Sequence, residues 1–147
     1  ITYYQKARHL FGKLKIEVLD DKGKLVDTLP ASKRRGINRV SWSMNVKPPR
    51  VPPAAQVAGA ARSGPRVVPG TYTVRMTKGA KTYETKIVVG LDPRSPFTLA
   101  ERREQFDAAM KVHAMFGSMS DLVTRIQAVR GGADAASATL RPRNTSS

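Results

Sequence analysis

The sequence contains no cysteine, so neither a disulfide nor a thiolate metal site can hold this fold together, and the redox compartment stays open. It has only two histidines, His9 and His113, and neither sits in a nucleophile, base and orienter pattern. There is no Walker-type loop, no G-x-S-x-G elbow and no H-E-x-x-H. Carboxylates are equally unhelpful to a catalytic reading. Asp20-Asp21 are adjacent in a predicted turn and point apart, while Glu101, Glu104 and Asp107 fall in the first half of a predicted helix, where they complement its dipole. No cofactor and no metal site is expected. No apolar run approaches the roughly 18 residues of a membrane-spanning helix, and no signal-peptide pattern is present. The chain opens on Ile1 rather than Met and is expected to be a piece of something longer.

Negative charge is the other scarcity. Eleven Asp and Glu stand against 26 Lys and Arg, a formal net charge of +15, and from residue 28 to residue 83 there is no acid at all. That interval holds Lys33, Arg34, Arg35, Arg39, Lys47, Arg50, Arg62, Arg66, Arg75, Lys78 and Lys81. A one-signed field of this kind seeks anionic partners. Aromatics do not alternate with these cations and no reading helix is evident, so nucleic acid is the weakest of the anionic choices.

A length of 147 residues allows one ordinary domain, or one of roughly 90 residues with extensions. Ten prolines and eleven glycines cut the chain into short elements. Leu14 to Leu19 alternates with a period of two, Asp20-Asp21-Lys22-Gly23 supplies turn chemistry, and Lys24 to Leu29 resumes, which predicts a β-hairpin. Ile37 to Met44 puts Val40, Trp42 and Met44 on one face, with Trp42 as core anchor. Thr71 to Met76 directs Tyr72, Val74 and Met76 inward, and Thr82 to Val89 completes a second hairpin around Gly79-Ala80. Between these lies residues 47–70, rich in Pro, Ala, Gly and Arg and without apolar period, predicted as a long loop. Its Pro48-Pro49-Arg50-Val51-Pro52-Pro53 run suits polyproline II, as a stiff spacer or a recognition strip.

After Asp92-Pro93 the period changes to about 3.6. Thr98 with Glu101 fits a capping box, and Phe106, Met110, His113 and Phe116 share one face of a helix expected to stop near Gly117. His113 on that stripe reads as a hydrogen-bonded core histidine, and His9 as a surface or packing residue. A second helix, with Leu122, Ile126 and Val129 as its stripe, is expected from Ser120 to Arg130, ending at Gly131-Gly132. The expected organisation is an N-terminal extension or edge strand over 1–13 and an antiparallel β-sandwich of immunoglobulin or fibronectin-III type over 14–90. A helical hairpin over 91–130 and an extended tail over 131–147 follow.

The series Leu14 to Leu19, Asp21-Lys22-Gly23-Lys24-Leu25-Val26 with Thr28-Leu29, Gly36 to Trp42, and Pro69-Gly70-Thr71-Tyr72-Thr73-Val74 resembles the immunoglobulin-like modules related to the flagellar hook-capping domain and to C-terminal modules of secreted bacterial proteins. With Lys33-Arg34-Arg35-Gly36, the Lys47 to Pro52 loop, Asp92-Pro93-Arg94-Ser95 and the helical hairpin, most of residues 1–130 is similar to the C-terminal region of bacterial sortilin-like, BNR-repeat β-propeller proteins. That resemblance implies a periplasmic or extracellular setting in which the propeller, absent from this stretch, carries any substrate site. No catalytic role transfers to a residue here. The tail after Gly131 departs from the longer helices of that group.

The function expected is that of a non-catalytic structural or interaction module. It would dock onto an acidic protein surface or the subunits of a membrane complex, or onto anionic lipid head groups, through Lys33, Arg34, Arg35, Arg39, Lys47, Arg50, Arg62 and Arg66, with Trp42 and Tyr72 anchoring the core. The alternative is an accessory domain bracing a secreted propeller enzyme.

Overall fold

The computed structural model describes residues 1–52 and 63–140, which run β1 (Thr2–Gln5), β2 (Leu14–Leu19), β3 (Leu25–Leu29), β4 (Gly36–Arg39), β5 (Gly70–Lys78), β6 (Lys81–Val89) and α1 (Leu99–Leu140). The strands form two antiparallel sheets, a four-stranded one in the order β3-β2-β5-β6 and a two-stranded ribbon of β1 with β4. The chain leaves the larger sheet after β3, pairs with its own N-terminus, and returns as β5 beside β2.

Both predicted hairpins form, each closed by its own turn chemistry. Asp20 caps the first: its Oδ1 accepts from the Lys22 and Lys24 amides at 3.0 and 2.8 Å, and Gly23 takes φ 76°. A bulge at Val18/Leu19 pairs Leu19 with Leu25 and Val18 with Asp27, leaving Val26 unpaired in the ladder and buried. In the second hairpin Lys78 pairs with Lys81 around Gly79-Ala80, and the register sets Tyr72 opposite Ile87 and Met76 opposite Tyr83.

One face of the larger sheet supplies Ile16, Val18, Val26, Leu29, Tyr72 and Val74 to a buried cluster that Val40 and Val67 complete. Ile1 and Tyr3 of the N-terminal segment, and Trp42, Met44 and Val46 beyond β4, pack against it. Burial of these apolar side chains, at roughly 1.5–3 kcal/mol each, is the main force holding the sheets together.

The predicted strand Ile37 to Met44 is shorter than its alternation suggests. Regular pairing ends at Arg39, because β1 offers partners only back to Thr2, with one further exchange between Ile1 and Val40. Met44 then takes a left-handed φ of 59°, which turns the chain into a short pairing with the far end of the long loop. Val46 donates to the Pro65 carbonyl and Val67 to the Met44 carbonyl, both at 2.8 Å. Gly64 lies under this crossing, where an added Cβ would stand 2.2 Å from the Val46 carbonyl oxygen. Part of the expected loop is therefore bridged structure.

The expected helical hairpin is replaced by one helix of 42 residues. Gly117, Gly131 and Gly132 take no left-handed φ, and the helix runs through them. A glycine in a helix interior costs only about 1 kcal/mol, and it ends a helix only when it adopts the left-handed conformation of a C-cap. The tail expected from residue 131 is likewise helical to Leu140, and its remainder lies outside the described residues. The start is as expected: the Thr98 amide and hydroxyl donate to Glu101 Oε2 at 2.7 and 2.8 Å, and the Glu101 amide donates to Thr98 Oγ1 at 3.3 Å.

Candidate interaction surface

The loop between β3 and β4 carries Lys33, Arg34 and Arg35, all exposed. Three exposed cations in a row would ordinarily sample many conformations, but here the backbone beneath them is clamped. Tyr3 Oη and Gln5 Nε2 each donate to the Ser32 carbonyl at 2.7 Å, and the His9 amide donates to the Lys33 carbonyl at 3.0 Å. Asn38 Nδ2 donates to the Arg34 and Gly36 carbonyls at 2.9 and 3.0 Å, and Gly36, at φ 94°, turns the loop into β4. Gln5 and Asn38 are the buried polar side chains of the described structure, 2% and 6% exposed, and both are spent on this loop. Buried amides are costly unless hydrogen-bonded, so their donors fix where the loop must lie.

The remaining predicted cations divide among other places. Arg39 is exposed at the end of β4 opposite Thr2. Arg66 bridges Asn45 and borders an open groove of about 740 Å³ between the sheets and the start of α1, together with Trp42, Val67, Asp92, Phe97 and Arg102. Arg62 lies outside the described residues. Lys47 and Arg50 belong to a strap. The Lys47 amide donates to the Val26 carbonyl at 3.0 Å, its own carbonyl accepts from His113 Nε2 at 3.0 Å, and Arg50 pairs with Asp121 of α1 at 2.5 Å. The proline-rich segment thus ties the helix to the edge of the larger sheet. Arg50 holds this tie while its side chain stays largely exposed. Of the predicted set, Lys33, Arg34, Arg35, Arg39, Lys47 and Arg66 make no ion pair among the described residues.

His113 is hydrogen-bonded as its stripe implied, but it stands outside the buried core cluster where a core histidine was expected. It is half-buried with Phe106, Met110 and Phe116, and because a carbonyl only accepts, its Nε2 carries the proton. His9 bonds the basic loop through its backbone amide. Among the described residues no three His, Asp or Glu side chains gather as metal ligands. Trp42 and Tyr72 meet edge to face, with centroids 5.3 Å apart at 63°. Trp42 Nε1 donates to the Asn45 carbonyl and Tyr72 Oη to the Val68 carbonyl four residues upstream. Burial, and secondarily the charges of Asp20 and Asp21, raise the Tyr72 hydroxyl above its ordinary value.

The link between β6 and α1 is an Asp-Pro-Arg-Ser turn. The Arg94 guanidinium and then its amide, both donating to Asp92, hold that carboxyl below the ordinary range, with a smaller contribution from Arg66.

Sequence reading found the cations but missed Tyr3, Gln5 and Asn38, which place them. No local pattern marks those three; only the β1–β4 pairing brings them under the loop. No family model matches the chain, and no curated protein or solved structure matches it.

Proposed function

We propose that this chain is a non-catalytic docking module, an immunoglobulin-like β-sandwich that presents the Lys33-Arg34-Arg35 loop to an acidic protein surface in a bacterial envelope or extracellular assembly. The observation that carries the proposal is the clamp itself. Two buried amides and a tyrosine hydroxyl hold three exposed cations, with no carboxylate paired to them among the described residues. A surface fixed before it meets its partner loses less entropy on binding, and its unpaired charges steer encounter. The immunoglobulin-like reading is supported by Tyr72 near the start of β5, whose hydroxyl returns to the Val68 carbonyl as in the tyrosine corner of such sandwiches, with Trp42 packed against its ring. The setting rests on the resemblance to modules that accompany exported propeller proteins.

The test is retention on immobilised poly-L-glutamate at low ionic strength. The chain is expected to bind, and the combined charge reversal Lys33→Glu, Arg34→Glu and Arg35→Glu to weaken binding about tenfold or more while leaving the unfolding midpoint unchanged, since these side chains are exposed. Unchanged retention of that variant sinks the proposal. Stronger partition onto phosphatidylserine-containing vesicles than onto poly-L-glutamate moves the partner from protein to lipid.

A further inference from the structure

The side of α1 turned toward the strap is half-buried through Phe106, Ala109, His113, Phe116, Ser120 and Val123. Roughly a third of a turn around the helix axis, at 100° per residue, lies a second stripe that nothing in the described structure covers. It comprises Ala108, Val112, Met115, Met119, Leu122, Ile126, Val129, Ala133 and Ala136, all exposed, with Val112 through Val129 between 41% and 73% exposed. Its spacing alternates four and three residues without interruption, over roughly 40 Å of helix at 1.5 Å per residue. This is the 3.5-residue period of a coiled-coil seam sustained for about four heptads, with Val112, Met119, Ile126 and Ala133 at one core position and Met115, Leu122, Val129 and Ala136 at the other.

The residues flanking the seam identify what fits it. Over this length the charged residues at the two flanking heptad positions are Lys111, Arg125 and Arg130, and no acid stands among them. Asp121 and Asp134 lie further round, the former paired with Arg50. Leu122, Arg125, Ile126, Val129 and Arg130 together border a shallow groove. We infer that this seam is a docking site for an amphipathic helix of another protein, with aliphatic residues at its core heptad positions and Asp or Glu beside them. A parallel, in-register copy of this chain fits poorly, because Arg125 would then face Arg130 of the copy, in a molecule already at +15. Residues 53–62 and 141–147 contain no acid and cannot supply the complement. A membrane surface is the less suited partner. The stripe is narrow, holds no Trp, Phe or Tyr, and shrinks to alanine toward its end, whereas interfacial helices present a broad face of bulky residues. This surface is separate from the basic loop, so the failure of either reading leaves the other standing.

Two designed helical peptides test it, both with Leu and Ile at the core heptad positions. One carries Glu and the other Lys at the flanking positions, and binding to the full chain is read by fluorescence anisotropy. The Glu peptide is expected to bind at least about tenfold more tightly than the Lys peptide. The exposed substitution Ile126→Asp should weaken it by about tenfold or more with helix content unchanged by circular dichroism. The pair Arg125→Glu and Arg130→Glu should reverse the preference. Equal binding of the two peptides, an unaffected Ile126→Asp variant, self-association of the chain through this face in sedimentation equilibrium, or preferential binding to phosphatidylserine vesicles lost in Ile126→Asp each overturns the inference.

Discussion

Gln5 and Asn38 are types that sequence patterns assign to surfaces, and here they are buried among the described residues. Their amides satisfy carbonyls of a loop that Tyr3 and the His9 amide also hold, so removing them acts on stability and on the surface together. Asn38→Ala should lower the unfolding free energy by about 1–3 kcal/mol, read from the urea midpoint, because it leaves the Arg34 and Gly36 carbonyls short of a donor, and Gln5→Ala should lower it by less, because the Ser32 carbonyl keeps its bond from Tyr3 Oη. In the same variants, amide exchange over residues 33 to 36 should accelerate, and retention on poly-L-glutamate should fall although every cation is kept. A variant that exchanges faster but binds as before would mean that the charges act without the clamp. At this scale the sequence disclosed the cations, which announce themselves by type and clustering. It hid their supports, because Gln5 and Ser32 meet only through strand pairing across a separation of 27 residues.

Elements whose determinants are local were legible. The Asp20-to-Gly23 and Gly79-Ala80 turns and the Thr98–Glu101 capping box each rest on residues within a few positions of one another, and each forms as expected. The end of α1 was not legible, since glycine permits a stop without enforcing one. The capping box makes a local prediction. Thr98→Ala removes the hydroxyl that accepts from the Glu101 amide, and should cost about 1 kcal/mol, visible as loss of exchange protection confined to the first turn of α1. The hydrogen bonds from the Thr98 amide, then its hydroxyl, hold the Glu101 carboxyl below its ordinary range. A folded-state value lower than the unfolded one means that this contribution is fully present above the unfolded value, near pH 4, and fades as pH falls through the folded value. Helix-start protection should therefore be flat at neutral pH and decline only in acid, and Thr98→Ala should move that decline upward in pH.

The whole molecule divides its tasks unevenly. Among the described residues none after Val89 belongs to the buried core cluster, which the two sheets and the segments around Val40 and Val67 complete between them. The helix is tied on by the Lys47 carbonyl, by Arg50, and by packing along one half-buried side. Exposed ion pairs such as Arg50–Asp121 contribute little, about 0–1 kcal/mol. Truncation after Gly90 should therefore leave a folded β module, with an unfolding free energy within about 1–2 kcal/mol of the full chain's and a smaller slope against urea because less surface is exposed on unfolding. The truncated chain should keep its retention on poly-L-glutamate, since the Lys33-Arg34-Arg35 loop is clamped wholly from β1, β4 and His9, yet lose all affinity for the acidic helical peptide. Because the two faces share no residue, their losses should also be independent: charge reversal in the loop should leave peptide binding intact, and Ile126→Asp should leave retention intact. An unfolded truncation would show that the strap and helix are part of the stabilising core, and coupling between the two bindings would show that the faces form one continuous site.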